Sequence, residues 1–284
     1  MSIWYAILLG LIQGLTEFLP ISSTAHLTIA GKLLGQISQE RPDEWTAFIA
    51  VIQLGTLFSV LFYFWQDILQ ITIGFLKTNL SLFTKKPVSE SEKYNSKLGW
   101  FVIVGTIPAA IVGLIFRHQI EGVFTKDLRV ISWALILLAI VLTVAELTAR
   151  KQRNMQQLNL SDSLIIGISQ TFSLIPGCSR SGSTITGGLF AGLTREAAAR
   201  FSFLLSIPTI AASGLLELPK ALQSTSGNTT PLIVATGFAF ISGYASIAFL
   251  LRFLQKNSTF VFVFYRIILG IILLVLIYRG GLSI

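Results

Sequence analysis

The fold class this sequence predicts is an all-α polytopic membrane protein. It would hold six transmembrane helices and two re-entrant helical hairpins arranged as an inverted-topology repeat. Three observations predict it. Of 284 residues, 53% are hydrophobic and only 12% are charged, about half the charged fraction of a soluble domain. The mean hydropathy of +0.74 excludes disorder, which needs few apolar residues and many charges. The apolar stretches are continuous rather than alternating, which excludes an outer-membrane barrel.

The elements follow in order. The chain is apolar from Met1 with no basic segment ahead of it, so no removable signal peptide is expected. Residues 3–34 are apolar but broken by Glu17, Pro20, Ser22, Ser23 and His26. Clean spans follow at 46–65 and 98–116, joined through a polar segment, 78–96, expected to be a mobile connector. A single span at 130–147 precedes a second broken region, 164–193, interrupted by Pro176, Gly177, Ser179, Arg180, Ser181 and Gly182. Spans at 200–217, 231–251 and 260–278 complete the chain. Each clean span suits about 30 Å of hydrocarbon, whereas each half of a broken region is too short to cross.

Loop charges set the expected topology. Twelve Lys and Arg, among them Lys77, Lys97, Arg153 and Arg195, fall on one side, and seven, among them Lys32, Arg117 and Lys126, on the other. Arg180 and Arg266 lie inside apolar segments. The positive-inside rule puts the twelve in the cytoplasm. The first hairpin then enters from the outer side and the second from the cytoplasm. The whole of 1–284 reads as one integral membrane domain. Repeat one covers about 1–116, the linker span 130–147, repeat two about 161–251 and a final span 260–278. The odd linker inverts the second copy, a plan that brings broken helices face to face near the midplane.

A net charge of +8 raises the question of nucleic acid, but the basic residues are scattered over loops with no basic helix, so none is expected. The single cysteine, Cys178, excludes an internal disulfide, and two histidines, His26 and His118, exclude a multi-histidine metal site.

Chemistry concentrates in the two breaks. In 13–26, Gln13 and Glu17 stand four apart on one helix face. Pro20 ends that half-helix, and Ser22 or Ser23 can cap the next, with Thr24 beside them. Ser23 and His26 are three apart. A carboxylate inside a membrane segment is costly and mostly functional. In the second break, Ser179, Arg180, Ser181, Gly182 and Thr184 form a hydroxyl-rich helix start with one guanidinium, the ingredients of an oxyanion cradle. The serines and glycines alone also suit small-residue helix packing. Gln53 reads as a substrate contact or an interhelical hydrogen bond. Arg266 reads as a site residue or as a side chain snorkelling to the interface.

The segment 13–26 resembles the (E/Q)xxxE and PxSSTxH signature of the bacitracin-resistance type undecaprenyl-diphosphate phosphatases. Residues 176–185 resemble that family's PGxSRSGxTI motif. The stretches 201–208 (FSFLLSIP), 51–55 (VIQLG) and Tyr265-Arg266 fit as well, so the resemblance runs from about Ile7 to Ile277. Gln13 stands where many members have Glu, and Ala25 and Ser183 where Gly and Ala are common. The resemblance implies hydrolysis of an isoprenyl diphosphate lipid to its monophosphate, recycling the cell-wall lipid carrier, in the bacterial plasma membrane with the site open to the outer side. It implies Glu17, Ser23, His26 and Arg180 as catalytic residues, with Gln13, Ser22, Thr24, Gln53, Ser179, Ser181, Gly182 and Thr184 binding substrate. Glu17 is the expected ligand of a divalent cation, Mg or Ca. Ser23 is expected to attack phosphorus with His26 as its base; a phosphohistidine on His26 is the rival scheme. A polyprenyl-phosphate transporter and a phosphatidic-acid type phosphatase are the other readings, and a homodimer is left open.

Overall fold

The computed structural model describes residues 1–38, 40, 42–121, 126–224 and 228–280. Among the described residues every regular element is helical, apart from one isolated bridge between Arg153 and Leu193. The helices are α1 (Ile3–Glu17), α2 (Ser23–Leu33), α3 (Pro42–Tyr63), α4 (Trp65–Thr84), α5 (Glu90–Ile115) and α6 (Arg117–Glu121). They continue with α7 (Leu128–Thr148), α8 (Leu160–Thr171), α9 (Arg180–Phe190), α10 (Arg195–Ser224), α11 (Thr230–Lys256) and α12 (Phe260–Tyr278). Six of them, α3, α5, α7, α10, α11 and α12, are long and apolar enough to cross a membrane. They coincide with the six expected spans.

The two broken regions break where the sequence predicts. The halves hold 15 and 11 residues in α1 and α2, and 12 and 11 in α8 and α9. At 1.5 Å per residue the longest reaches only about 22 Å, short of the hydrocarbon thickness. Both second halves start alike. Ser22, at φ 75°, caps α2 by accepting from the Ala25 N–H, and Ser179, at φ 66°, caps α9 by accepting from the Gly182 N–H. A non-glycine residue held at positive φ carries strain of about 1–3 kcal/mol, so the surroundings must impose this turn twice.

The expectation of a mobile connector over 78–96 is corrected. Only 85–89 lies outside helix there. Ser89 and Glu92 form a reciprocal capping box that starts α5 inside the polar stretch. Lys85 at φ 53° ends α4, and Lys77 pairs with Glu92 at 2.7 Å across the turn. The missed helix α4 has an apolar stripe that packs on α5, where Gly74 lets the backbones approach: a Cβ there would meet Glu92 O at 2.8 Å.

Small residues place the half-helices against long ones. Gly10 of α1 faces Ala235 of α11, and Ser246 donates to Leu15 O at 3.2 Å, so α1 runs parallel to α11. Gly167 of α8 faces Gly105 of α5, and Ser163 donates to Phe101 O at 2.5 Å, so α8 runs parallel to α5. Helices approach this closely in membranes only where side chains are small. Polar ends sort accordingly. Glu146 at the end of α7 accepts from Lys151, Arg195 and Thr259, while Lys220 pairs with Asp43 at 2.9 Å on the other side of the predicted topology. Behind the first break, Phe18 and Phe203 pack edge to face at 5.1 Å between centroids.

A Cβ at Gly167 would lie 2.3 Å from Gly105 O. Gly167→Val therefore forces α8 off α5 and lowers unfolding free energy by about 2 kcal/mol or more, read as a fall in melting temperature in detergent. An unchanged melting temperature would contradict this packing.

Candidate active site

The site is assembled from the ends of three helices and the middle of a fourth. Glu17 is the last residue of α1, Ser23 the first of α2 and Arg180 the first of α9. Ser23 Oγ donates to Glu17 Oε2 at 2.6 Å, and Gln13 Nε2 donates to the same oxygen at 2.9 Å. Arg180 Nη2 donates to Glu17 Oε1 in a short ion pair. Its Nη1 donates to Thr209 Oγ1 at 3.2 Å on α10. Pro208, inside α10, has no N–H to continue the helix ladder, and Thr209 Oγ1 donates to Ser206 O at 3.0 Å in that disturbed turn. Gln13, Glu17 and Ser23 are all buried.

These groups sit at one wall of a cavity of about 490 Å³. Glu17, Ser23, Thr24, Gln53, Ser179 and Arg180 all line it. Its remaining wall is mostly apolar, with Ala109 and Gly113 of α5 and Ala212 of α10. Lys126 and Arg117 line it as well, and Lys126 Nζ donates to Thr46 Oγ1 at 2.5 Å. One cavity thus offers hydroxyl, carboxylate and guanidinium groups beside an apolar surface, all within the helical bundle.

Arg266 sits behind the two breaks. It is fully buried. Nη1 donates to Pro20 O at 3.1 Å and Cys178 O at 3.3 Å, and Nη2 donates to Gly177 O at 3.0 Å and Ala134 O at 3.4 Å. Nε donates to Leu135 O at 3.2 Å. Irregular backbone at membrane depth leaves carbonyls without partners, and this guanidinium supplies them on both breaks at once. Gly177 is obligatory there: its φ is +95°, and a Cβ would lie 2.5 Å from Ile131 O. The snorkelling reading of Arg266 is therefore overturned.

Other expectations are also corrected. His26 forms no hydrogen bond with Ser23, whose Oγ donates to Glu17. Its Nδ1 donates to Ser22 O at 2.7 Å, which leaves Nε2 to accept from the Tyr265 hydroxyl at 2.5 Å. The two rings stack at 5.6 Å. Both ring nitrogens are thus engaged elsewhere, and His26 is not among the residues lining the cavity that Ser23 lines, so this geometry does not pair it with the Ser23 hydroxyl. Four of the expected substrate contacts, Ser22, Ser181, Gly182 and Thr184, do not line the cavity and have structural contacts. Ser22 caps α2, and Ser181 Oγ donates to Leu19 O at 3.0 Å, tying the second break to the first. Gly182 makes room for Arg266 Nη1, 3.2 Å from where its Cβ would stand. Thr184 Oγ1 shares a 2.5 Å hydrogen bond with Ser202 of α10. Sequence reasoning missed Thr209 and Tyr265 as partners of Arg180 and His26, because their partners lie 29 and 239 residues away.

The sequence profile of the bacitracin resistance protein BacA family matches residues 6–272. The chain belongs to this family. It is similar to an undecaprenyl-diphosphatase of Syntrophobacter fumaroxidans, 52% identical over 282 residues and covering 99% of both chains. A protein of the same name from Chloroherpeton thalassium is 47% identical, with 100% of this chain and 99% of the other covered. Another, from Myxococcus xanthus, is 49% identical over 100% of this chain and 92% of its own.

Whether these residues suit a divalent cation is a question of donors. Among the described residues no three His, Cys, Asp or Glu cluster, so a site built wholly from protein ligands is not formed. Around Glu17, however, every available donor is oxygen: the carboxylate, Ser23 Oγ and Gln13 Oε1, which is buried without a hydrogen-bond partner among the described residues. One carboxylate with neutral oxygens suits a hard cation that takes its remaining ligands from phosphate and water. The residues fit Mg or Ca, with Glu17 and Gln13 as the holders.

Removing one member of a buried ion pair leaves the other charge uncompensated, at a cost of about 3 kcal/mol. Glu17→Gln is expected to lower the melting temperature clearly, and Glu17→Gln with Arg180→Met to recover most of the loss. Equal destabilisation in both variants would show that the pair is not coupled.

Proposed function

We propose that the chain hydrolyses undecaprenyl diphosphate to undecaprenyl phosphate and inorganic phosphate, renewing the lipid carrier of cell-wall synthesis. The observation that carries this is the Ser23–Glu17–Arg180 constellation on the wall of a cavity within the helical bundle, in a chain of the BacA family. An isoprenyl tail suits lipid and the apolar cavity wall, whereas a diphosphate needs fixed donors and a cation at that depth.

The residues divide the work as follows. The diphosphate competes with Glu17 for the Arg180 guanidinium, whose planar fork holds two phosphate oxygens. Glu17, relieved of that partner, becomes the base for the Ser23 proton it already accepts as a hydrogen bond at 2.6 Å. Ser23 Oγ then bonds to the terminal phosphorus as the bond to the bridging oxygen breaks, and undecaprenyl phosphate leaves. Glu17 passes the Ser23 proton to the departing bridging oxygen; water then attacks the phosphoserine, giving its proton to Glu17, which protonates Ser23 Oγ as its bond to phosphorus breaks and inorganic phosphate leaves. Arg180 stabilises charge on the phosphoryl oxygens in both steps. Gln13 keeps Glu17 aimed at Ser23. A divalent ion held by Glu17 and Gln13 would neutralise diphosphate charge when bound.

We read the architecture around this site as an inverted repeat of re-entrant hairpins, α1–α2 and α8–α9. The exchanged packing supports it: α1 lies parallel to α11 as α8 lies parallel to α5, and both second halves begin at a serine with positive φ. The repeats would span about 1–116 and 161–251. The bacterial plasma membrane is the expected location. A cavity opening on the outer side agrees with Arg117 and Lys126, which line it and belong to the less basic side of the predicted topology. A transporter would need the cradle but not a hydroxyl bonded to a carboxylate, which favours hydrolysis.

Purified protein given undecaprenyl diphosphate should release phosphate, and EDTA should suppress the release. With substrate labelled in the terminal phosphate, acid quenching should trap an acid-stable label that Ser23→Ala abolishes and His26→Ala retains. An acid-labile label that survives Ser23→Ala would overturn the serine mechanism.

A further inference from the structure

We propose that Gln170 is a further substrate-binding residue, whose side-chain amide donates to an oxyanion of the diphosphate head group. The proposal rests on the hydrolase reading above. Gln170 lies in the last turn of α8, six residues before Pro176. It is 1% exposed, and neither Nε2 nor Oε1 has a hydrogen-bond partner among the described residues. The residue lines the same cavity as Glu17, Ser23 and Arg180. Burying an amide without partners is unfavourable, and an apolar side chain of similar shape would remove that cost. A glutamine is nevertheless placed here, on the wall of the cavity that must receive a charged group.

Gln13 provides the contrast. It precedes Pro20 by seven residues and donates to Glu17, four residues on. Four residues after Gln170 stands Leu174, which offers no side-chain acceptor. Ser173 donates its one hydroxyl proton to the Gln170 backbone carbonyl at 2.7 Å, so it has none to give to Oε1. The amide that orients the carboxylate in the first break has no internal partner in the second.

The condition is shared by other groups on this wall. Thr28 Oγ1 and Trp45 Nε1 are buried without partners among the described residues and line the same cavity. All three residues carry neutral donors. Neutral N–H and O–H groups bind an oxyanion strongly in a low-dielectric cavity without adding a fixed charge to be desolvated. A diphosphate also has more oxygens than one guanidinium fork can hold. The terminal torsion of a glutamine is soft, so Nε2 can turn to an entering oxygen without movement of α8.

The test uses the full-length protein in detergent with undecaprenyl diphosphate, comparing Gln170→Leu and Gln170→Met with the unsubstituted chain. A hydrogen bond to a charged group predicts a fall in kcat/KM of about ten- to a hundredfold. Melting temperatures should equal or exceed that of the unsubstituted protein, because an unpartnered buried amide has been removed. The proposal is overturned by kcat/KM within about threefold of the unsubstituted value. It is equally overturned by an activity loss matched in both variants by a lower melting temperature, which would give Gln170 a structural task. Phosphate release by the unsubstituted protein in the same assay separates failure of this proposal from failure of the hydrolase reading.

Discussion

All five N–H groups of Arg266 end on backbone carbonyls: one from the first break, two from the second and two from α7. Burying a guanidinium with no carboxylate beside it is expensive. Leaving the Pro20, Gly177 and Cys178 carbonyls of the two irregular segments unpaired inside the bundle is also expensive. Each problem is the other's remedy, and the pairing fixes the two irregular segments relative to one another and to α7. The site depends on that fixed relation, because Ser23 and Glu17 come from one break and Arg180 from the other.

Further constraints act in the same direction. Ser181 reaches from the second break to the Leu19 carbonyl of the first. Ser22 and Ser179 both hold positive φ, a strain that persists only where surrounding contacts over-determine the backbone. With the breaks clamped, the Arg180–Glu17 pair forms over a separation of 163 residues. The pair satisfies both charges, and the proposed mechanism has the diphosphate exchange with the carboxylate. Preorganised charge of this kind needs little rearrangement when the reaction begins.

The spans were legible because hydrophobic length is a local property: 130–147 and 260–278 coincide closely with α7 and α12. The breaks were legible because Pro20, Pro176 and their neighbouring serines are local stop and cap signals. Glu17, Ser23 and Arg180 stood out because polar groups in apolar segments are rare. What could not be read was direction. Spacing puts Ser23 and His26 on one turn, yet Ser23 turns to Glu17 and His26 to Tyr265, a choice made by α12 packing against the site from far along the chain. Helix α4 is hidden because its last two turns run directly into the charged turn at Lys85 and Lys86 and the charged first turns of α5, so that 78–96 reads as one polar stretch. Gln170 has no local signal at all; only the cavity reveals that its amide lacks a partner.

The central claim is that Arg266 holds the two breaks in one geometry. Pulsed electron paramagnetic resonance measures it directly. Spin labels would be attached to cysteines at Leu15 and Phe172, both exposed positions near the breaks, with Cys178 replaced by alanine. The account predicts one narrow distance distribution with Arg266 in place, and a broad or displaced one in Arg266→Met with helix content preserved. The same narrow distribution in both proteins would contradict it.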